Sequence, residues 1–325
     1  MKAILARELG DPHVLKVEEV DRARPLSGEV LIRVRTAALN YPDYLMLKGQ
    51  YQVQPPLPYT PGFELAGTVD ELGPGVTGVE LGSRVMAQCN IGALAEFAVA
   101  PVNSVFPIPD GFSDDQAAAF PLVYQTSYFG LAYRGQLQRG EHVLVHSAAG
   151  GVGHAAVQIA RAMGAGKIIG TAGSDQKLDV IRQCGADVAV NYRTEDFVEI
   201  VKRETGGHGA DCVYDPVGGE VCERSTKCIA FEGRLVIIGF TSGAFPALRA
   251  NHILIKNYSV VGLHWGYYRQ MKREAIERGW RELLALIPTG RLRPVIGARY
   301  AMHEAAAALE HLASRSAVGK IVLYW

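Results

Sequence analysis

The sequence has no C-x-x-C pair, no long apolar run and no excess of either charge. Its five cysteines, at positions 89, 184, 212, 222 and 228, are scattered. Such spacing suggests neither a disulfide framework nor a zinc clip, and it points to a reducing, cytoplasmic setting. A membrane span needs about 20 consecutive apolar residues, so the apolar runs here are too short to predict one. Lys plus Arg and Asp plus Glu number 33 each, for a formal net charge of +0. That balance argues against nucleic acid or an acidic membrane as the main partner. Repeats and low-complexity segments are missing too. The first residues, Met1–Arg7, lack the apolar core of a signal peptide and read as a strand.

What is present is a chain of globular composition, 48% hydrophobic and 20% charged over 325 residues. That length predicts two domains. The most informative stretch is 142–164. Val143–Val145 is a continuous apolar run, as in a strand buried on both faces. A small-residue turn, Ser147 to Gly153, follows. Val152, Ala156, Ile159, Ala160 and Met163 then recur at helical spacing. A strand, a glycine turn and a helix together make a phosphate cradle, because amides at a helix N-terminus carry partial positive charge. Gly150, Gly151 and Gly153 keep large side chains out of that approach. Ala148 stands where G-x-G-x-x-G has its first glycine, but the flanking strand and helix are the context the motif needs.

The region after the turn predicts a doubly wound parallel sheet. Lys167–Thr171, Val188–Val190, Cys212–Tyr214, Leu235–Ile238 and Ser259–Val261 read as strands. Lys177–Cys184 and Phe197–Glu204 read as helices. Residues 1–120 have another character. Glu29–Thr36, Thr68–Leu72 and Arg84–Ala87 are strand-like, glycine turns separate them, and the proline-rich Gln50–Gly62 predicts an extended loop. Asp114–Phe120 is helical and leads toward the second domain. Beyond Gly262, Gln270–Ile287 predicts one long amphipathic helix, His303–Ser314 another, and Gly319–Tyr324 a closing strand. This gives domains at 1–120, completed by 265–325, and at 121–264, with a ligand expected in the cleft between them.

Several motifs occur together. They are Asn40-Tyr41-Pro42-Asp43 with Lys48-Gly49-Gln50-Tyr51, Pro61-Gly62-Phe63-Glu64-Leu65-Ala66-Gly67, Ala148 to Gly153, Asn191-Tyr192-Arg193 and Gly319-Lys320. In this combination the chain resembles the zinc-independent medium-chain dehydrogenase/reductases along nearly its whole length, and within them the NADPH:quinone oxidoreductases of the zeta-crystallin-like group. The resemblance implies an α/β fold: a Rossmann doubly wound parallel sheet plus a GroES-like irregular β domain. It implies NADPH as cofactor and a homodimer. The zinc enzymes of the same superfamily use a cysteine near Asn40–Asp43 and a histidine where Phe63 stands here, and they have a structural zinc on four close cysteines, where only Cys89 is found. Hydride transfer without a metal is therefore expected.

An NAD-binding unit places an acid about 20 residues past the glycines to hold the ribose 2′-OH. Here that position falls at Gly173-Ser174, which leaves room for a 2′-phosphate. Lys177 can supply charge, and Tyr192 and Arg193 can border the same pocket. A shift of one residue would instead make Asp175 the NAD acid, although its place before a helix suits an N-terminal residue. The resemblance implies further cofactor contacts at Ala149, Val152, Thr126, Phe240, Leu263 and Lys320, with Lys177 and Tyr192 at the 2′-phosphate.

For the reacting partner the resemblance points to Asn40, Asp43 and Tyr51. Tyr51 is the best hydrogen-bond donor to a reduced oxygen but could equally be a pocket wall. Asp43 could instead be a structural acceptor. Tyr41, Tyr44, Tyr51, Tyr59, Phe63, Tyr124, Trp265, Tyr267 and Tyr268 could line a pocket for a flat apolar quinone, although aromatic clusters are more often core. Three functions remain open at this point. They are NADPH-dependent quinone reduction, reduction of an activated C=C bond in an enone or acyl-CoA thioester, and NADPH binding with little turnover.

Overall fold

The computed structural model describes all residues, Met1–Trp325. The chain divides into two compact units, Met1–Leu122 with Pro294–Trp325, and Val123–Arg293. In chain order the first stretch holds β1 (Lys2–Leu5), β2 (Lys16–Glu19), β3 (Glu29–Ala38), α1 (Tyr41–Leu47), β4 (Glu64–Leu72), β5 (Arg84–Gln88), β6 (Phe97–Pro101), β7 (Val105–Pro107) and α2 (Asp114–Ala118). Helix α3 (Pro121–Tyr128) spans the division at 122/123, and a π-helical stretch, Phe129–Arg134, continues it.

The Rossmann unit follows with β8 (Val143–Val145), α4 (Gly151–Ala162), β9 (Ile168–Ala172), α5 (Leu178–Gln183), β10 (Val188–Asn191), α6 (Phe197–Glu204) and β11 (Ala210–Asp215). Then come α7 (Gly219–Ser225), β12 (Ile229–Ile237), α8 (Ala250–Lys256), β13 (Ser259–Gly262), α9 (Trp265–Met271) and α10 (Arg273–Leu286). The chain returns to the first unit with β14 (Ile296–Ala301), α11 (Ala305–Ala313) and β15 (Lys320–Tyr324).

In the Rossmann unit the sheet runs β10-β9-β8-β11-β12-β13, all parallel. Counted from β8, this is the order 3-2-1-4-5-6 of dinucleotide folds, with its reversal between β8 and β11. The central strand is apolar on both faces because helices cover both, and Val143, Leu144 and Val145 are fully buried. Each such side chain contributes roughly 1.5–3 kcal/mol over an exposed one.

In the other unit the sheet runs β14-β15-β3-β4-β5-β7, with β6 also pairing β3. Its core gathers Ile32, Val34, Leu65, Val85 and Ala98 from the sheet with Leu47 from α1 and Leu309 from α11. Two registers matter for the site. Ala38 at the end of β3 faces Glu64, the first residue of β4, and Val322 of β15 also faces Ala38.

Two expectations need correction. The division falls after Arg293, not at 264/265. The segment 265–293 stays with the Rossmann unit because its helices are packed there. The Tyr268 ring lies 5.2 Å from Phe129 and 5.6 Å from Tyr133, and the Arg278 guanidinium sits 5.7 Å over Tyr133. The single helix expected at Gln270–Ile287 is two, separated at Lys272, whose φ of −144° and ψ of 64° are not helical. A continuous hydrophobic period does not reveal such a break, since both helices bury apolar residues.

Candidate active site

The glycine turn is built as the phosphate cradle requires. Gly150 is the N-cap of α4, and no side chain caps that helix end, so its first amides point outward for a ligand. A Cβ on Gly153 would lie 2.0 Å from the Ser147 carbonyl oxygen, so only glycine fits there. Ser147 itself takes φ +49° to make the turn. His154, one turn into the helix, is buried and bonds through Nδ1 to the Gly150 carbonyl at 2.9 Å.

The expected cofactor residues of this unit follow the carboxyl ends of successive strands. Ala149 to Gly153 follow β8, and Gly173, Ser174 and Lys177 follow β9. Tyr192 follows β10, Phe240 follows β12 and Leu263 follows β13. Ligands of open parallel sheets bind at this edge. Thr126 is half-buried on α3. Phe240 meets Phe245 edge to face, 4.8 Å between ring centres, and leans on Gly218, where a Cβ would come within 2.7 Å of its ring. Leu263 is 7% exposed and its amide bonds to the Ile237 carbonyl.

At the ends of β9 and β10 lies a cationic notch. A Cβ on Gly173 would lie 2.9 Å from the Tyr192 hydroxyl and 3.4 Å from Arg193 Nε. The bare glycine thus admits both side chains. Lys177 is half-buried, and its ammonium is held below the usual lysine range, by burial first and by the Arg193 guanidinium second. Two like charges brought together in this way favour an anion between them. Asp175 is directed elsewhere: its Oδ1 accepts from Asn191 Nδ2 at 2.8 Å. It opens a 3-10 turn that leads into α5, in keeping with an N-terminal position.

In the other unit, Asn40, Asp43 and Lys320 come together with Glu64 in a buried polar network. The register already described places Glu64 and the start of β15 beside the end of β3. Lys320 Nζ donates to the Leu39 carbonyl at 2.6 Å, to Asn40 Oδ1 at 2.5 Å and to Glu64 Oε1 at 2.8 Å. An ammonium has three protons, so this one is saturated within its own unit. Lys320 and Glu64 side chains are 2% and 0% exposed. The Asn40 amide donates to the Ala38 carbonyl and to Glu64 Oε1, and Glu64 Oε2 accepts from the Leu122 amide. Glu64 was not singled out from the sequence, although it stands inside the Pro61–Gly67 motif.

Asp43 accepts from the Asn40 and Gly62 amides, at 2.8 and 3.0 Å. Its carboxyl caps α1 and anchors the glycine after the proline-rich loop. Burial pushes it up to about 7, against the pull of those amides and of Lys320. Asn40, Asp43 and Lys320 therefore have their polar atoms turned to protein partners, because each is needed to satisfy its buried neighbours. Tyr51 is partly exposed, and burial followed by the Asp43 charge raises its phenol above the usual range.

The expected aromatic group is dispersed. Tyr59 belongs to the core of the first unit, with Tyr44, Tyr51 and Phe63 packed against it. Tyr41 lies 5.8 Å from Tyr44. In the Rossmann unit Tyr124 and Trp265 are buried, while Tyr267 is exposed. Of the histidines, His146 illustrates a structural role. It bonds Thr171 and Ser225 at 2.9 and 2.7 Å, and burial lowers it to about 4, so it is neutral.

Comparison with known proteins places these features in context. Residues 151–281 match the family model described as zinc-binding dehydrogenase, and residues 26–110 match the alcohol dehydrogenase GroES-like domain. Quinone oxidoreductase-like protein 2 of Bos taurus is 36% identical over 99% of this chain and 92% of its own. The solved Escherichia coli quinone oxidoreductase complexed with NADPH superposes with a TM-score of 0.90 at 33% identity, covering 100% of both chains. A solved NAD-dependent alcohol dehydrogenase reaches the same TM-score, 0.90, at 31% identity and 100% coverage of both. The residues present here do not fit a zinc ion. Segment 40–43 has no cysteine, Phe63 offers no ligand atom, Cys89 is buried, and no three His, Cys, Asp or Glu side chains converge on a metal position.

Proposed function

Because the chain belongs to the quinone oxidoreductase group of the medium-chain dehydrogenase/reductases, we propose that it reduces a quinone with NADPH and without a metal ion. The observation that carries the choice of NADPH is the Lys177–Arg193 notch beside Gly173, with Asp175 held by Asn191; the quinone rests on the likeness to quinone oxidoreductases. A ribose 2′-OH is recognised by an acid, and a 2′-phosphate by cations. Bound NADPH supplies a hydride.

The chain's residues do the rest. Amides of Gly151 to Gly153 hold the pyrophosphate at the α4 N-terminus. Lys177, Tyr192 and Arg193 hold the 2′-phosphate, with Ser174 beside them. Thr126, Phe240 and Leu263 border the nicotinamide. Tyr51 keeps its proton at neutral pH and donates a hydrogen bond where charge develops on the quinone oxygen. The hydride, with one proton taken from solvent, converts quinone to hydroquinone. Asn40 and Asp43 act as supports for α1 and the 61–64 segment and do not touch the substrate. Lys320 holds those supports in place.

Two copies are proposed to associate through β13. That strand is the sheet edge, with Val260 exposed at 36%, and nearby α8 exposes Leu254 and Ile255 at 76% and 73%. Pairing would remove an open apolar edge. The five cysteines are buried and form no disulfide, which agrees with a cytosolic setting.

One chelator-free preparation tests these statements. Steady-state NADPH oxidation is measured with a benzoquinone, an enone and an enoyl-CoA side by side, together with metal content and light-scattering mass. Fastest turnover with the quinone, no stoichiometric zinc and a dimer mass are expected. Preference for the enone or enoyl-CoA would replace the quinone by an activated C=C bond. NADPH binding without turnover would leave a binding protein.

A further inference from the structure

The chain passes between its two units twice, at 122/123 and at 293/294. Both passages lie next to one side chain of the cofactor helix, Gln158 on α4, which is 6% exposed. Gln158 Oε1 accepts from the Tyr124 hydroxyl at 2.6 Å and from the Arg293 amide at 2.9 Å. Its Nε2 donates to the Arg293 carbonyl at 2.9 Å and to Cys184 Sγ at 3.7 Å. Both acceptor and both donor positions of the amide are used. Toward Arg293 it pairs with both backbone groups, as a neighbouring strand would. Residues 291–295 have no regular structure of their own, so this side chain supplies what a sheet ladder otherwise would.

The same network reaches the glycine turn. The Tyr124 ring meets the His154 ring edge to face, 5.9 Å between centres. His154 in turn bonds the Gly150 carbonyl. A buried polar side chain, on the helix face that also carries buried His154 one turn before it, needs partners to offset its desolvation. Here those partners, Cys184 apart, stand at the two places where the chain leaves the unit.

We infer that Gln158 is a positioning residue: it fixes both chain passages to the helix that carries the phosphate turn. Its effect on turnover rests on the proposed function, in which residues on the far side of both passages serve the electron acceptor. Its effect on the passages does not.

The test uses the full chain. Gln158→Met keeps the length of the side chain and removes all four hydrogen bonds. Tyr124→Phe removes one and keeps the ring. Hydrogen exchange of residues 291–293, read by mass spectrometry, is expected to rise roughly tenfold or more in Gln158→Met and about threefold in Tyr124→Phe, with β8 and β9 unchanged. The NADPH dissociation constant is expected to stay within about twofold while kcat/KM for the quinone falls roughly tenfold. Unchanged exchange at 291–293, or equal acceleration throughout the unit, overturns the inference. Loss of NADPH affinity in step with kcat/KM also overturns it, since Gln158 would then support the turn itself. Should the wild-type protein reduce no quinone, the proposed function fails and the exchange measurement still decides the role of Gln158.

Discussion

Two charged clusters divide this molecule's polar chemistry, and they are built in opposite ways. In the first unit Lys320, Glu64, Asn40 and Asp43 are buried, and the Lys320 ammonium has a protein acceptor for each proton. In the Rossmann unit Lys177 and Arg193 are brought together as like charges beside a bare glycine. The first arrangement satisfies itself, and the second asks for an anion. The company a cation keeps, acceptors around Lys320 and a second cation beside Lys177, differs between the two although both are lysines.

The contrast can be broken most forcefully at Lys320. Lys320→Met leaves the Glu64 carboxylate buried without its cation, and removing one partner of a buried pair costs about 3–5 kcal/mol. Denaturant unfolding should show that loss, and the double variant with Glu64→Gln should recover much of it. If stability holds and NADPH affinity falls, Lys320 is a cofactor residue and the two clusters are alike.

A second effect, on the order of 1–4 kcal/mol, comes from Asp43. Its carboxyl keeps its proton up to about 7 in the folded chain, whereas an unfolded aspartate releases it near pH 4. Between those values the folded state binds more protons, so this group's contribution to stability falls as pH rises from about 4 to about 7. Glu64, Lys320, Tyr51 and Tyr59 are the ionisable groups that share its surroundings. Asp43→Asn should flatten the fall. An unchanged pH profile would mean that the amides of Asn40 and Gly62 keep the carboxylate ionised.

The smallest effect sharpens the other side of the comparison. A charge-assisted contact to a phosphate contributes roughly 1.5–3 kcal/mol. Lys177→Ala should therefore weaken NADPH binding about tenfold to a hundredfold and leave NADH nearly unaffected. Titrations at fixed ionic strength measure this, because exposed charges are screened. Equal weakening of both cofactors would make Lys177 a support of the loop. A wild-type preference for NADH would return Asp175 to the ribose.

The Rossmann half was legible because its signals are local. Val143–Val145, the small-residue turn and the period of α4 lie within two dozen residues, and each step of strand, turn and helix is dictated by its neighbours. The break at Lys272 was not legible, since the apolar period runs on through it. Gln158 reads as one more helix residue, and nothing near it in sequence announces Arg293, 135 residues away.

The sequence by itself determined the alternation of strands and helices and the glycines that a close backbone approach demands. Only the tertiary structure decided which charges are buried together and which lie side by side as like charges. Lys320 and Glu64 are 256 residues apart and meet because β15 and β4 both pair with β3. A lysine's three protons can be counted from its name, but the acceptors that take them are set by strand register, which long-range pairing fixes and local sequence does not.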